Sequence, residues 1–219
     1  MTATYDFLTG PAALLSFVVF FGGIVFKLTR MYLLARKKDP FVFSYMSLRY
    51  GLRSIFHWLA PFGTRSMRAH PAMTIVMFAF HAGVIVAPIF VAAHGILMEE
   101  STGISWLSIP DKAADALTIV VMFAILFFVI RRIVVNEVRF ITTASDYVLL
   151  ALVATPFITG FIAYHQWLDY RIFMILHVIS GEVLLMAIPF TRLAHIIFGA
   201  FTRAYAGSEF GSVRHARDW

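Results

Sequence analysis

Two histidines, His177 and His195, stand eighteen residues apart in the apolar stretch IFMILHVISGEVLLMAIPFTRLAHIIFGAF, residues 172–201, which only Glu182 and Arg192 interrupt with charge. On one unbroken helix that spacing is five whole turns and a rise of roughly 27 Å, so it predicts two imidazoles on one face. The rise approaches the ~30 Å thickness of a bilayer's hydrocarbon layer. Neutral imidazole is a common metal ligand, and one such ligand near each side of a membrane would suit an electron wire. The other reading is a pair of buried, hydrogen-bonded histidines; an intramembrane ionisable residue, repeated in phase, favours function.

The elements that must position these residues are membrane helices. Of the 219 residues 60% are hydrophobic and 14% charged, and the mean hydropathy is +0.82, far above a soluble domain with roughly 45–50% apolar residues. Five apolar segments are expected to span, at about 11–35, 71–98, 113–131, 145–168 and 172–200. The fold class is therefore all-α integral membrane, a single five-helix domain over 1–205 followed by a polar tail, 206–219, expected to be mobile or ordered by a partner. The N-terminus carries Asp6 and no basic run, which predicts an uncleaved first span.

Nine Lys and Arg lie between Lys27 and Arg68, three between Arg131 and Arg139, and four from Arg192 onward, against only Lys112 and Arg171 in the other two loops. That asymmetry predicts an outer N-terminus and a cytoplasmic C-terminus in a bacterial inner membrane. It also explains the net charge of +6 without nucleic acid. Absence of cysteine excludes an iron–sulfur cluster, a disulfide or a thiolate-attached haem on this chain.

The link 36–69 is too long for a turn. Within it Arg49, Arg53 and His57 recur every four residues beside Phe43, Met46, Tyr50 and Trp58, the pattern of a helix lying in the membrane interface. A lipid-binding basic surface and a docking platform for a cytoplasmic subunit are both open for it.

The second span carries His70, His81 and His94. It runs antiparallel to the fifth, so His81 can face His195 on the cytoplasmic side and His94 can face His177 on the outer side. Two cross-helix imidazole pairs, one per leaflet, are what two six-coordinate haems require. On a straight helix His81 and His94 would differ by about 20 Å of rise and about 220° of rotation, so they do not share a face; a kink at Pro88 would re-aim the second. His70 precedes Pro71 at the helix mouth and is the weaker alternative for a span-two ligand. Arg192, three residues before His195, suits a haem propionate or a lipid headgroup. Glu182 is a costly carboxylate at mid-membrane, expected to be protonated or hydrogen-bonded and a candidate proton relay. His165 at an outer helix end is a second relay candidate, whereas His57 and His215 read as surface residues.

Four segments carry a resemblance: FHAGVI (80–85), WLSIPDK (106–112), RRIVVNEVRFITTASDY (131–147) and PFTRLAH (189–195). They resemble the di-haem cytochrome b family of the respiratory nitrate reductase gamma subunit, over about residues 75 to 205. The resemblance implies two b haems with His81, His94, His177 and His195 as axial ligands, paired His81 with His195 and His94 with His177. It further implies Arg192 at a propionate and Lys112 at a quinone or propionate near the outer haem. The span-two spacing departs from the family by about three residues around Pro88.

The chain is most similar to the branch that serves as the membrane cytochrome b of transmembrane (Tmc) redox complexes, because its link 166–171 is short and its second span contains Pro88. That branch implies a cytoplasmic iron–sulfur partner resembling heterodisulfide reductase, a periplasmic multihaem cytochrome c, and menaquinone as a further ligand. Electrons would then cross the membrane between these partners, as in respiratory sulfate reduction. Alternatives are a nitrate reductase gamma subunit oxidising quinol and, in another class, a haem-free proton-conducting transporter or structural anchor.

Overall fold

The computed structural model describes residues 2–218. The described residues form an all-α chain in which five helices are long and apolar enough to cross a membrane: Ala3–Lys38, Pro71–Phe90, Asp111–Val134, Ala144–His165 and Tyr170–Phe190. Only 6 to 33% of the most apolar stretch of each is buried against protein. The remaining apolar surface needs a non-aqueous neighbour, which identifies a multi-span membrane protein. We label the main elements α1 (Ala3–Lys38), α2 (Leu48–Leu59), α3 (Pro71–Phe90), α4 (Ala92–Thr102), α5 (Asp111–Val134), α6 (Ala144–His165), α7 (Tyr170–Ala187) and α8 (His195–Ser208).

The helices fall into two compact units. The first holds the chain up to Phe17 and Val76–Met186. Its most extensive helix pairing is α5 with α6. Arg132 ties the cytoplasm-predicted ends of these helices together, with Nη2 3.4 Å from Asp146 Oδ1 and Nη1 donating to Thr142 at 3.2 Å. Asp146 in turn accepts from the Thr143 backbone N–H at 2.8 Å in a capping box that starts α6. The RRIVVNEVRFITTASDY segment is thus a self-stapled helical turn. At the other end His165 Nε2 lies 3.3 Å from Asp115 Oδ1. Helix α3 reaches α5 at Gly83, where a Cβ would collide with the fully buried Val121.

The second unit holds Val18–Ile75 and the chain from Ala187 onward. Its core is α2 against α8. Glycines bring the backbones together: a Cβ on Gly51 would stand 3.2 Å from Ala204 Cβ, one on Gly207 2.5 Å from Ser54 Cβ, and one on Gly211 would enter the Tyr50 ring. The buried hydroxyl of Ser208 accepts from Ser47 N–H at 3.0 Å and donates to Ala204 O at 2.7 Å. Asp218, whose side chain is 2% exposed, accepts from Arg203 at 2.8 Å and from Ser54. The tail expected to be mobile or partner-ordered is therefore folded onto α2 by this chain's own residues. In the same unit Tyr45 and Tyr205 pack with ring centroids 6.3 Å apart, and the hydrogen bond between them, with burial, raises the Tyr45 hydroxyl pKa.

Two expected helices are broken. The second span ends at Phe90 and restarts at Ala92, with Val91 extended at ψ 132°. The fifth ends at Ala187, passes through two 3₁₀ turns, Ile188–Phe190 and Arg192–Ala194, and restarts at His195. Pro189 supplies no N–H to a helical ladder, and the Thr191 side chain accepts from Leu193 N–H to begin the next turn. The five-turn argument for His177 and His195 is overturned: they stand on different helices, in different units.

Candidate functional site

His94 on α4 and His177 on α7 face each other within the first unit. Their ring centroids are 5.8 Å apart and their planes differ by 14°. Two imidazoles bound through nitrogens at about 2 Å on opposite sides of one metal would have centroids about 6 Å apart, a separation that this pair approaches. The His94 position follows from the helix break: with α3 stopped at Phe90, the 220° mismatch with His81 on a straight helix no longer applies.

Each ring is held by a backbone carbonyl. His177 Nδ1 donates to Pro156 O on α6 at 2.8 Å. It reaches that carbonyl because Gly160, one turn further along α6, has no side chain: a Cβ there would come within 2.7 Å of both His177 Cε1 and Nδ1. His94 Nδ1 donates to Pro88 O at 2.7 Å, a carbonyl exposed by the break at Val91. A carbonyl can only accept, so Nδ1 carries the proton and the lone pair of each neutral ring is on Nε2. A hydrogen bond from the second ring nitrogen to a carbonyl is the usual support of a metal-ligating histidine.

The other two expected ligands share this arrangement. His81 Nδ1 donates to Met77 O at 2.8 Å, one turn back on α3. His195 Nδ1 donates to Arg192 O at 2.8 Å in the 3₁₀ turn before α8. His81 belongs to the first unit and His195 to the second. His57 and His165 differ, engaging Gly63 O and Asp115 through Nε2. His70 is exposed after the short helix Arg65–Ala69, where its carbonyl accepts from Thr74.

Among the remaining expected residues, Arg192 is exposed and its carbonyl orients His195. Lys112 is exposed in the first turn of α5. Glu182 Oε1 is buried and has no hydrogen-bond partner among the described residues. His165 sits among Phe161, Tyr164 and Trp167, with ring centroids 4.4, 5.1 and 5.5 Å away. Among the described residues no group of three or more His, Cys, Asp or Glu is arranged to hold a metal ion; a two-imidazole site does not require one. Sequence reasoning missed Gly160, Pro156 and Asp115. A Pro and a Gly four residues apart in one span were the available signal for the first two.

Comparison with known proteins adds one relative. The chain is 36% identical over 218 residues to a protein of Nitratidesulfovibrio vulgaris strain Hildenborough, covering 96% of this chain and 95% of the relative. The chain belongs to that protein's family. The match runs over nearly the full length of both chains. No family model matches the chain, and no solved structure matches it.

Proposed function

We propose that this chain is a di-haem cytochrome b, the membrane subunit of a transmembrane redox complex related to the nitrate reductase gamma subunit. The observation that carries the reading is the facing pair His94 and His177, near-parallel and each braced through Nδ1. When bound, haem would supply one-electron transfer. The chain's part is to hold each iron between imidazoles, to keep water away, and to fix ring orientation through backbone carbonyls. His81 and His195 are proposed as the second pair from the sequence resemblance, supported by their matching Nδ1 bonds.

The proposed orientation places the N-terminus outside and the basic links in the cytoplasm. There α2 lies in the interface. Leu48, Leu52, Phe56 and Leu59 form one stripe on it, 79, 41, 66 and 65% exposed, while Gly51 and Ser54 pack inward. In this reading electrons pass between a periplasmic multihaem cytochrome c or menaquinone and a cytoplasmic iron–sulfur subunit. Arg192 serves a propionate, and Lys112 a propionate or quinone, at the inner and outer haems respectively. Glu182 and His165 remain the candidates for moving protons.

Purified protein is expected to show a reduced b-type spectrum with two haems extractable by acid solvent. A colourless protein that takes up no haem would overturn the reading and favour a proton-conducting transporter or an anchor. Co-purification with a molybdenum enzyme would instead assign the chain to nitrate reductase.

A further inference from the structure

The break between α3 and α4 exposes three successive carbonyls, and each has a replacement donor. Pro88 O accepts from His94 Nδ1 at 2.7 Å, Ile89 O from Trp106 Nε1 at 2.7 Å, and Phe90 O from Ile109 N–H at 2.9 Å. Two of the donors come from one loop. Gly103 ends α4 at φ 74°, a left-handed conformation that turns the chain back, and Pro110 caps α5, so the intervening residues return across the break. Carbonyls at a helix end in a membrane need partners, since each one left without costs free energy comparable to a lost hydrogen bond.

The row of carbonyls is therefore a shared part: one end aims the His94 ring, and the loop holds the other two members. We propose that Trp106 is a positioning residue for His94, setting through the Ile89 carbonyl the angle at which the His94 imidazole meets the metal. The indole argues for this role against that of an ordinary interfacial anchor. Belt tryptophans place the polar tip of the ring at headgroup level, whereas the Trp106 N–H is spent on the carbonyl adjacent to the one that His94 uses. Without that donor, the Ile89 peptide can rotate toward another partner. Pro88 O, one residue away, shifts with it, and the His94 plane turns relative to His177.

The inference rests on the di-haem reading, and electron paramagnetic resonance of the oxidised, haem-loaded full chain separates the two. Near-parallel imidazoles give a rhombic low-spin ferric signal, and rotation toward perpendicular moves the largest g value upward. The outer haem's signal is the one missing in His177→Ala. Trp106→Phe keeps the aromatic bulk and removes the N–H; it is expected to shift the outer signal upward and leave the other in place. Trp106→Gln, which restores a donor, should bring the outer signal back toward wild type. Leu107→Ala, 81% exposed in the same loop, should change neither.

An outer signal in Trp106→Phe identical to wild type overturns the positioning role. Loss of both signals in both Trp106 variants also overturns it, in favour of a folding role. If Trp106→Phe alone loses both, an unshifted outer signal in Trp106→Gln supports the role and a shifted one overturns it. Wild-type protein with no haem signal contradicts the di-haem reading itself.

Discussion

His94 and His177, proposed as the outer ligands, and His81 and His195, proposed as the inner ones, use the same device on different scales. His94 and His177 are braced by carbonyls that only tertiary structure supplies, one across a helix break and one on a neighbouring helix twenty-one residues earlier. His81 and His195 are braced within their own turn, by carbonyls four and three residues back. A locally braced ring takes its aim from one helical turn and survives changes elsewhere. A remotely braced ring inherits every movement of the loop or helix that holds its carbonyl. The outer pair is thus the adjustable one, and substitutions distant in sequence should act on it selectively.

The largest effect expected is from His177→Ala or His94→Ala. In the di-haem reading each removes one of the two imidazoles that would hold the outer haem, and haem analysis should find one haem per chain in place of two. Gly160→Ala follows: its Cβ would press on Cε1 and Nδ1 of His177, an overpacking cost of about 1–3 kcal/mol. It should appear as weaker retention of the outer haem, with the inner haem's absorption unchanged. Equal loss of both haems in Gly160→Ala would break the contrast between remote and local bracing.

Asp218→Ala removes the buried carboxylate beneath Arg203 and Ser54. It should lower stability by about 1–2 kcal/mol, because a partly buried guanidinium loses its partner. Thermal unfolding in detergent measures this. Asp115→Asn breaks the His165 pair, in which both side chains are about one-third exposed. A cost below about 1 kcal/mol is expected, with the haem spectra of both sites retained.

Much of the architecture was legible in the sequence. The five spans follow from length and hydropathy. His94 was the least certain of the four ligands because the span-two spacing departs from the resembled family's around Pro88, and a straight helix would also turn it away from the His81 face. The break at Val91 depends on donors from residues 106 and 109, which no local pattern of span two contains. The fifth span is present but ends earlier than expected, because Pro189 and Thr191 interrupt the backbone ladder where the apolar stretch runs on to residue 200. The tail was misread because its polar composition says nothing of partners more than 160 residues away; Gly207 and Gly211 are the only sequence trace of that close packing. Gly160 was passed over among many small residues, since a glycine that admits a side chain looks in sequence like one that admits a helix.

The most direct test of the facing pair is haem stoichiometry in a double-mutant cycle. His94→Ala, His177→Ala and the combined variant are predicted to retain one b haem each, the same one, with identical reduced spectra. A double variant that loses more haem than either single, or singles that lose different haems, would contradict a site shared by His94 and His177.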